Sequence, residues 1–324
     1  MPPPSRGKTS HCVVAHQCSA KVIMTVQPSN MHSLKIGIVG LGLVGQALAH
    51  RLTAAGHLCI GSDVRQEAMT AFASQGHAVE SSVAKLSQQV ELMVLAVFDT
   101  AGVLDVVQHI RDGRQGQLNH GPLTLVDCST GDPVALEKLA VELRTQNIHF
   151  VEAPLSGSSA QIENGEATVL IGGELDDVQS LEPVFKALTS KRIHVGGAGM
   201  AARAKLATNL VLGLNRAALA EGMVFAESMG IEPDKFLQLV LATPARSEAA
   251  VVKGAMMVNS QFEPQSRIRQ HLKDVQLMLD LAKTQQQNLP LSQTHAGLMK
   301  DAVSAGDGEL DNAAIIRQIR RYKL

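Results

Sequence analysis

Along residues 34–196, short runs of apolar and often β-branched residues alternate with longer amphipathic stretches. Such apolar runs are typical of parallel strands that are buried on both faces, and the stretches between them have helical spacing. The pattern therefore predicts an α/β fold with a doubly wound parallel sheet covered by helices. The predicted strands are 35–40, 57–62, 91–97, 123–127, 148–153, 167–173 and 192–196, and the predicted helices are 44–55, 65–74, 102–111, 133–145 and 176–188.

The alternation stops after Gly199, and the remaining chain has helical periodicity with breaks at residues such as Pro244 and Pro290. We therefore predict three parts: a flexible leader at 1–31, a sheet domain at 32–196 and an all-helical domain at 197–324. The leader contains no acidic residue and is rich in Ser and Pro. The alternative is an organelle-targeting segment, but its single arginine makes that signal weak.

Charge and composition narrow the class of partner. Lys and Arg total 29 against 30 for Asp and Glu, so the balance gives no electrostatic reason to expect nucleic acid or an anionic membrane. The longest apolar stretch, 206–226, is interrupted by Asn209, Asn215, Arg216 and Glu221, which indicates a buried helix and not a membrane span. The expected partners are a small molecule and further copies of the chain.

Cysteine and histidine usage gives no sign of a disulfide framework or a metal centre. The four cysteines occur in a chain without a secretory signal, which favours free thiols and a cytoplasmic location. The densest group of metal-ligating residue types is in the leader, and its spacing is too cramped for an ordinary zinc site. That group is His11, Cys12, His16 and Cys18. We predict no bound metal.

A glycine-rich turn follows the first predicted strand directly and opens the first predicted helix. Gly40, Gly42 and Gly45 have the spacing that allows a tight turn, close approach to a pyrophosphate, and helix packing on the strand. Asp63 ends the next strand. A carboxylate there accepts hydrogen bonds from a ribose diol and repels a 2′-phosphate, which favours NAD over NADP. Arg65 keeps NADP possible, and the structural alternative is a plain turn with Asp63 capping the following helix. The predicted cofactor contacts here are Gly40, Leu41, Gly42, Val44, Gly45 and Asp63.

Dehydrogenation of an alcohol needs a general base, and Lys205 is the candidate, early in the first helix after Gly199. Asn209 lies four residues later and therefore on the same helical face. Burial in a cleft beside an oxidised nicotinamide disfavours an ammonium ion and moves the pKa of such a lysine toward neutrality. The spacing alone also allows an ordinary solvated helix lysine.

Two loops at the carboxyl ends of predicted strands supply hydroxyl groups. Ser129 and Thr130 follow the strand that ends at Asp127, and the segment 156–158 follows the strand that ends near Glu152. Sheets of this kind bind ligands at these ends. The structural alternatives are that Ser129 or Thr130 caps the helix beginning at 133 and that residues 156–158 form an ordinary turn.

Taken in order, these segments resemble the β-hydroxyacid dehydrogenase family, which includes 3-hydroxyisobutyrate dehydrogenase and tartronate semialdehyde reductase. The matching blocks are GLGLVG at 40–45, DCST at 127–130, APLSG at 153–157, the helix with Lys205 and Asn209, and LKDVQLML at 272–279. The resemblance implies a Rossmann NAD-binding domain at 32–196 and a helical substrate and dimerisation domain at 197–324. It also implies a homodimer or homotetramer. The roles that it implies are Lys205 as catalytic acid/base, Asn209 as its support, Ser129, Ser156 and Gly157 as substrate-carboxylate contacts, and Thr100 and Lys273 as cofactor contacts.

The chain departs from the family pattern on the substrate side of the predicted site. Ser158 replaces a frequent second glycine, Thr208 replaces a frequent asparagine, and Val97-Phe98 replaces a frequent Leu-Pro. We therefore predict an NAD(P)-dependent oxidoreductase acting on a small 3-hydroxy acid or its semialdehyde, with the substrate open. The alternatives are a reductase of another small carbonyl, such as a four-carbon sugar acid or succinic semialdehyde, and a cofactor-binding module without turnover.

Overall fold

A computed structural model describes residues 33–115 and 121–322. The predictions for the leader at 1–31 lie outside the described residues. The described chain contains one sheet, and its strands follow the predicted apolar runs closely. The strands are β1 Lys35–Val39, β2 Leu58–Ser62, β3 Ala78–Val79, β4 Leu92–Leu95, β5 Leu123–Asp127, β6 Ile148–Glu152, β7 Leu155–Ser156, β8 Thr168–Gly172 and β9 Arg192–Gly196.

The strand order is β3-β2-β1-β4-β5-β6-β8-β7, with β9 paired to β8. Every pairing among β1 to β6 is parallel, which confirms the predicted doubly wound sheet. The sheet is mostly parallel, but β8 runs antiparallel to β6 and β7, a reversal that the pattern did not predict. The pattern also missed the two-residue strands β3 and β7.

Helices cover the sheet and then continue alone to the end of the described chain. The helices are α1 Leu43–Ala54, α2 Gln66–Ser74, α3 Val83–Gln89, α4 Thr100–Arg114, α5 Pro133–Arg144, α6 Ser159–Glu163, α7 Leu175–Ser180, α8 Glu182–Leu188, α9 Met200–Ser228, α10 Pro233–Ala242, α11 Glu248–Asn259, α12 Ile268–Thr284, α13 Pro290–Ser304 and α14 Ile315–Arg321, with a 3-10 turn at Asn312–Ala314. The sequence pattern missed α3 and α6 and fused α7 with α8.

Burial on both faces of the sheet explains why its central strands β1, β4 and β5 are mostly apolar. Ile36 and Ile38 of β1 face one hydrophobic cluster, while Val39 belongs to the cluster on the opposite face. A third cluster lies among α9 to α14 and includes Met223 and Met299. Removal of these side chains from water is the main favourable contribution to folding.

The helix α9 joins the two kinds of structure. Its 29 residues span about 43 Å at 1.5 Å per residue. It contacts β7, β8 and β9 of the sheet, and it also contacts α10 to α14. A side chain on its buried face can therefore lie between sheet and helices. Within the described ranges, none of the helices combines the length and the apolar character needed to cross a membrane.

Candidate active site

A cavity of about 830 Å³ extends from the turn after β1 to the buried face of α9. This volume is in the range of ligand pockets. Gly40, Gly42 and Asp63 line one part of it, and Lys205 and Asn209 line another. The cavity therefore brings the predicted dinucleotide turn and the predicted catalytic helix to one continuous space.

The glycine turn has the geometry of a nucleotide-binding turn. Gly40 has φ +93°, in the left-handed region that favours glycine. A Cβ on Gly45 would lie 1.8 Å from the carbonyl oxygen of Gly40, so this position admits only glycine. A Cβ on Gly42 would meet no protein atom within 4 Å, so the space in front of it is open to a ligand. The turn therefore fits a pyrophosphate.

Asp63 lies beside this turn and is held by three groups. It accepts the backbone N–H of Leu41 at 2.7 Å and that of Arg65 at 2.8 Å, and it forms an ion pair with the guanidinium of Arg65 at 3.1 Å. Burial raises the pKa of Asp63, but the hydrogen bonds and the charge of Arg65 outweigh burial and hold the pKa below its ordinary value. The residue that caps α2 is Arg65, so the alternative in which Asp63 is the cap is wrong.

Lys205 is only 8% exposed and has its Nζ against the carbonyl oxygen of Leu155, to which it donates. Burial lowers the pKa of Lys205 to about 8; Asp274 opposes this effect and Lys273 adds to it. The alternative of a solvated helix lysine is therefore wrong. A lysine with a pKa near 8 exchanges a proton readily near neutral pH.

Asn209 and Lys273 belong to a polar network around Asp274 of α12. The amide of Asn209 donates to Asp274 at 3.2 Å, and the ammonium of Lys273 lies 2.9 Å from the same carboxylate. Lys273 also donates to the backbone oxygens of Phe98 at 2.9 Å and Thr130 at 2.7 Å. It thereby ties α12 to the loops that follow β4 and β5, and Asn209 lies beside it in the cavity wall.

The loop after β5 is held by hydrogen bonds that the sequence did not indicate. The hydroxyl of Ser129 accepts the N–H of Val97 at 3.1 Å. Thr100 accepts the N–H of Asp132 at 2.8 Å. The cap of α5 is Asp132, which accepts from Val134, so the alternative in which Ser129 or Thr130 caps that helix is wrong.

The residues of the loop after β6 contribute to a strand, to the cavity wall and to a helix cap. Ser156 belongs to β7, where it pairs with Thr168, and Gly157 lines the cavity. Ser158 caps α6 in a capping box with Gln161, which explains a serine at this position.

The predicted residues fall into two groups by position. Residues at the cavity surface are Lys205, Asn209, Gly157, Gly40, Gly42, Val44 and Asp63. Residues that do not themselves line the cavity, but lie within two residues of one that does, are Leu41, Gly45, Thr100, Ser129, Ser156 and Lys273. Of these, Thr100, Ser129 and Lys273 hold the loops after β4 and β5 through hydrogen bonds.

Glu152 at the end of β6 is a functional candidate that the sequence did not reveal. Its buried carboxylate accepts the N–H groups of Gly199 and Ala202 at the start of α9. Burial raises the pKa of Glu152 to about 7, although both backbone hydrogen bonds act in the opposite direction. Glu152 fixes the end of α9, and thereby Lys205, against the sheet.

Arg216 is a second candidate that the sequence pattern did not indicate. Its side chain lines the cavity from α9. The pattern identified it only as an interruption of an apolar stretch. The available signal was its spacing, because eleven residues after Lys205 is close to three helical turns and therefore the same face.

Comparison with known proteins agrees with the arrangement of fold and site. Residues 35–197 match the NAD binding domain of 6-phosphogluconate dehydrogenase, and residues 197–319 match the domain described as NAD-binding of NADP-dependent 3-hydroxyisobutyrate dehydrogenase. The chain is 26% identical to 2-hydroxy-3-oxopropionate reductase of Escherichia coli, covering 88% of this chain and 97% of the relative. It is 28% identical to L-threonate dehydrogenase of Cupriavidus necator, covering 88% and 96%.

A solved structure of 3-hydroxyisobutyrate dehydrogenase from Salmonella typhimurium has the same fold, with a TM-score of 0.76 at 26% identity. The match covers 88% of this chain and 99% of that one. Two family models together span nearly all of the described residues, in the order that the structure requires. The chain belongs to the β-hydroxyacid dehydrogenase family of NAD(P)-dependent oxidoreductases.

Proposed function

We propose that Lys205 is the general acid/base of a reaction that interconverts a small 3-hydroxy acid and its semialdehyde, with NAD preferred. The observation that supports this most strongly is the burial of Lys205, with a pKa near 8, in the same cavity as the glycine turn. In oxidation the neutral amine accepts the hydroxyl proton of the substrate. In reduction the ammonium returns a proton to the carbonyl oxygen.

The residues of the turn fit the dinucleotide that the family uses. The backbone of 40–45 would hold the pyrophosphate, and Asp63 would accept from the adenosine ribose. When bound, the nicotinamide supplies or accepts the hydride. The low pKa of Asp63 keeps it charged, which disfavours a 2′-phosphate and supports the preference for NAD. Arg65 lies beside it and is the group that would hold the phosphate of NADP.

The shared contact of Asn209 and Lys273 with Asp274 supports the roles that we propose for them. Asn209 presents an amide between that carboxylate and the cavity, where it orients Lys205 or the reacting oxygen. Lys273 fixes the loops at Phe98 and Thr130, which lie in the cavity wall. Thr100 supports the same wall from behind through its bond to Asp132.

The substrate carboxylate has donors in the two serine loops. Ser129 uses its oxygen as an acceptor for Val97, so its O–H remains available as a donor next to the lining residues Cys128 and Thr130. Gly157, at the cavity surface, and Ser156 beside it are the second pair of contacts that we propose.

The relatives differ in the acid that they act on, as their names state: 2-hydroxy-3-oxopropionate, L-threonate and 2-(hydroxymethyl)glutarate. One relative from Arabidopsis thaliana is a glyoxylate/succinic semialdehyde reductase. We therefore keep reduction of another small carbonyl as the second candidate. The same Lys205 chemistry serves both.

We further propose that residues 32–196 serve the cofactor and that residues 197–324 serve the substrate and self-association. Val211 and Phe225 of α9, and Met229 directly after it, support the second role, because these apolar side chains are exposed. A homodimer or homotetramer covers them. Sedimentation velocity tests this: a monomer at micromolar concentration contradicts it.

The test of the catalytic proposal follows absorbance of the reduced nicotinamide with NAD or NADP and a panel of three- to six-carbon hydroxy acids. Lys205→Met is expected to lower kcat at least about 1,000-fold while leaving the affinity for NAD within about threefold. The matched control is Lys300→Met, which removes an exposed lysine of α13. Equal activity of Lys205→Met and wild type, or loss of NAD binding with loss of turnover, would contradict the proposed role.

A further inference from the structure

Arg216 lies on the face of α9 that carries Lys205 and Asn209 into the cavity. The lining side chains of this helix are Lys205, Asn209, Leu212 and Arg216, which form one stripe along the helix. Arg216 is only 5% exposed. Its position places a permanent positive charge about three helical turns from the candidate base.

Across residues 33–115 and 121–322, the guanidinium of Arg216 has no hydrogen-bond or ion-pair partner. Asp311 is the acid whose charge acts on it, but Asp311 already accepts from Lys253 at 2.9 Å and from three backbone N–H groups. Other cations near the cavity have partners of their own. These pairs are Arg267 with Glu309 at 3.3 Å and Lys273 with Asp274 at 2.9 Å.

The neighbouring histidines do not change this balance. Burial lowers the pKa of His271 far below its ordinary value and that of His295 to about 4, and the charge of Arg216 contributes to both shifts. Both rings are therefore neutral at neutral pH. Arg216 itself stays charged, because burial lowers its pKa only to about 10.

An unpaired cation is unfavourable in a buried environment, and its retention requires compensation in some state of the protein. The cavity wall contains the neutral polar groups Gln265, Gln270 and Asn312. Of its acids, Asp63 and Asp274 are already paired with Arg65 and Lys273. Amides complete the hydrogen bonds of an anion but do not neutralise arginine. The charge is therefore left for a ligand that enters the cavity.

We propose that Arg216 binds a second carboxylate of the substrate, so that the preferred substrate is a 3-hydroxy dicarboxylic acid or the corresponding semialdehyde acid. This proposal rests on the proposed function, since it takes Lys205 as the position of the reacting carbon. The loop at 155–157 touches Lys205 at one end of the stripe and holds the first carboxylate. Arg216 lies at the other end.

The side chain between the two ends supports an extended substrate. Leu212 lines the cavity between Asn209 and Arg216, where it offers an apolar surface to methylene groups. A planar guanidinium binds a carboxylate through two direct, parallel hydrogen bonds. The stripe therefore matches, in order, a hydroxyl carbon, a short apolar chain and an anion.

The test compares 3-hydroxy dicarboxylates of five to eight carbons with 3-hydroxy monocarboxylates of the same lengths, using wild type and Arg216→Met. Wild type is expected to favour the best dicarboxylate in kcat/KM. Arg216→Met is expected to lower that value at least about 30-fold, mostly through KM, and to change the monocarboxylates less than about threefold. Arg216→Lys restores part of the loss, because it keeps the charge without the fork.

Arg267→Met is the matched control, since it removes a cation from the same cavity wall whose charge is paired with Glu309. An equal loss in this variant overturns the proposal, because a general positive potential then explains the preference. The melting temperature without ligand is a separate readout. Removing an unpaired buried charge leaves it unchanged or raises it, whereas a fall would mean that Arg216 is structural and would also overturn the proposal.

Binding of suberate and of octanoate to the NAD complex, measured by calorimetry, separates failure of this proposal from failure of the proposed function. Suberate carries two carboxylates on the longest chain of the panel and no reacting hydroxyl, so Arg216 must give it the tighter binding and Arg216→Met must abolish the difference. Turnover of monocarboxylates with equal binding of the two probes overturns the Arg216 subsite and leaves the function standing. Tighter suberate binding without turnover of any 3-hydroxy acid supports the subsite and contradicts the function.

Discussion

Replacement of Asp274 by Asn is expected to move the pH dependence of the reaction to lower pH. The carboxylate of Asp274 favours the ammonium form of Lys205, against burial, which lowers its pKa to about 8. Without that negative charge, the ammonium is less stable and the pKa falls further. Oxidation requires neutral Lys205, so its rate in the variant reaches the plateau at a lower pH than in wild type.

The magnitude follows from the charges in the cavity wall. At an effective dielectric constant of about 20, a unit charge roughly 6 to 10 Å away shifts a pKa by about 1 to 2. The cavity admits water, which weakens this interaction. We therefore expect the pKa of Lys205 to fall by about one, to about 7, in Asp274→Asn.

The assay measures kcat for oxidation and reduction between about pH 5 and pH 10 at saturating cofactor. The oxidation limb, which rises with pH, and the reduction limb, which falls with pH, should move together, because both report one group. Asp280→Asn is the matched control. It removes the same charge from an exposed position six residues later on α12, where Asp280 accepts from Gln276.

A companion variant gives a shift of the opposite sign. Lys273→Met removes a positive charge and leaves Asp274 without its partner, so both changes raise the pKa of Lys205. The KM for cofactor also rises, because Lys273 holds the oxygens of Phe98 and Thr130. An unmoved limb in Asp274→Asn, a shift to higher pH, or equal shifts in Asp280→Asn would refute the argument that Lys205 is the titrating group.

Three further outcomes follow from the structure. Gly42→Ala is expected to keep the melting temperature and to weaken NAD binding at least about tenfold, because its Cβ would enter the open space of the turn. Gly45→Ala is expected to lose about 2 kcal/mol or more of unfolding free energy, because its Cβ would meet the backbone of Gly40. Fluorescence titration with NAD and urea unfolding distinguish the two variants, and equal effects contradict the role of the turn in binding pyrophosphate. Asp63→Ala is expected to raise the ratio of kcat/KM with NADP to that with NAD at least about tenfold, because Arg65 is released to bind a phosphate; an unchanged ratio contradicts the role of this pair. The pKa of Glu152 in the folded protein, about 7, lies above its ordinary value of 4.5, so the folded state binds a proton more tightly than the unfolded state and loses stability as the pH rises between these values. Glu152→Gln is expected to lower the free energy of unfolding by about 1 to 2 kcal/mol and to weaken its dependence on pH in urea unfolding. An unaltered pH dependence of the unfolding free energy contradicts this prediction.

The sheet was predictable because burial on both faces leaves a direct trace in the sequence. β1 and β5 match their predicted ranges within a residue, since each is a mostly apolar run beside a clear turn. The antiparallel reversal at β8 left no such trace. β8 pairs antiparallel with only the two residues of β7 and with β6 at one register position, and contacts so short carry no periodicity.

The candidate site was predictable where chemistry depends on local spacing and unpredictable where it depends on distant contacts. The members of the glycine turn lie a few residues apart along the chain, and so do Lys205 and Asn209. Both patterns can therefore be recognised in the sequence. The contact of Glu152 with the start of α9 joins positions about fifty residues apart. The sequence does not indicate whether an arginine has an ion-pair partner. That Arg216 has none becomes clear only when Asp311 is seen to bind Lys253 instead.

Along α9, the proposed base and the proposed carboxylate-binding arginine lie on different parts of the helix. Glu152 fixes the first turn of the helix to the sheet, and Lys205 follows within two turns, so the base is positioned by the part of the helix that the sheet holds. Leu212 and Arg216 lie farther along the same face, among the helices, where a change of side chain leaves that anchor intact. A substitution at 212 or 216 can therefore alter which acid binds without moving the reacting centre.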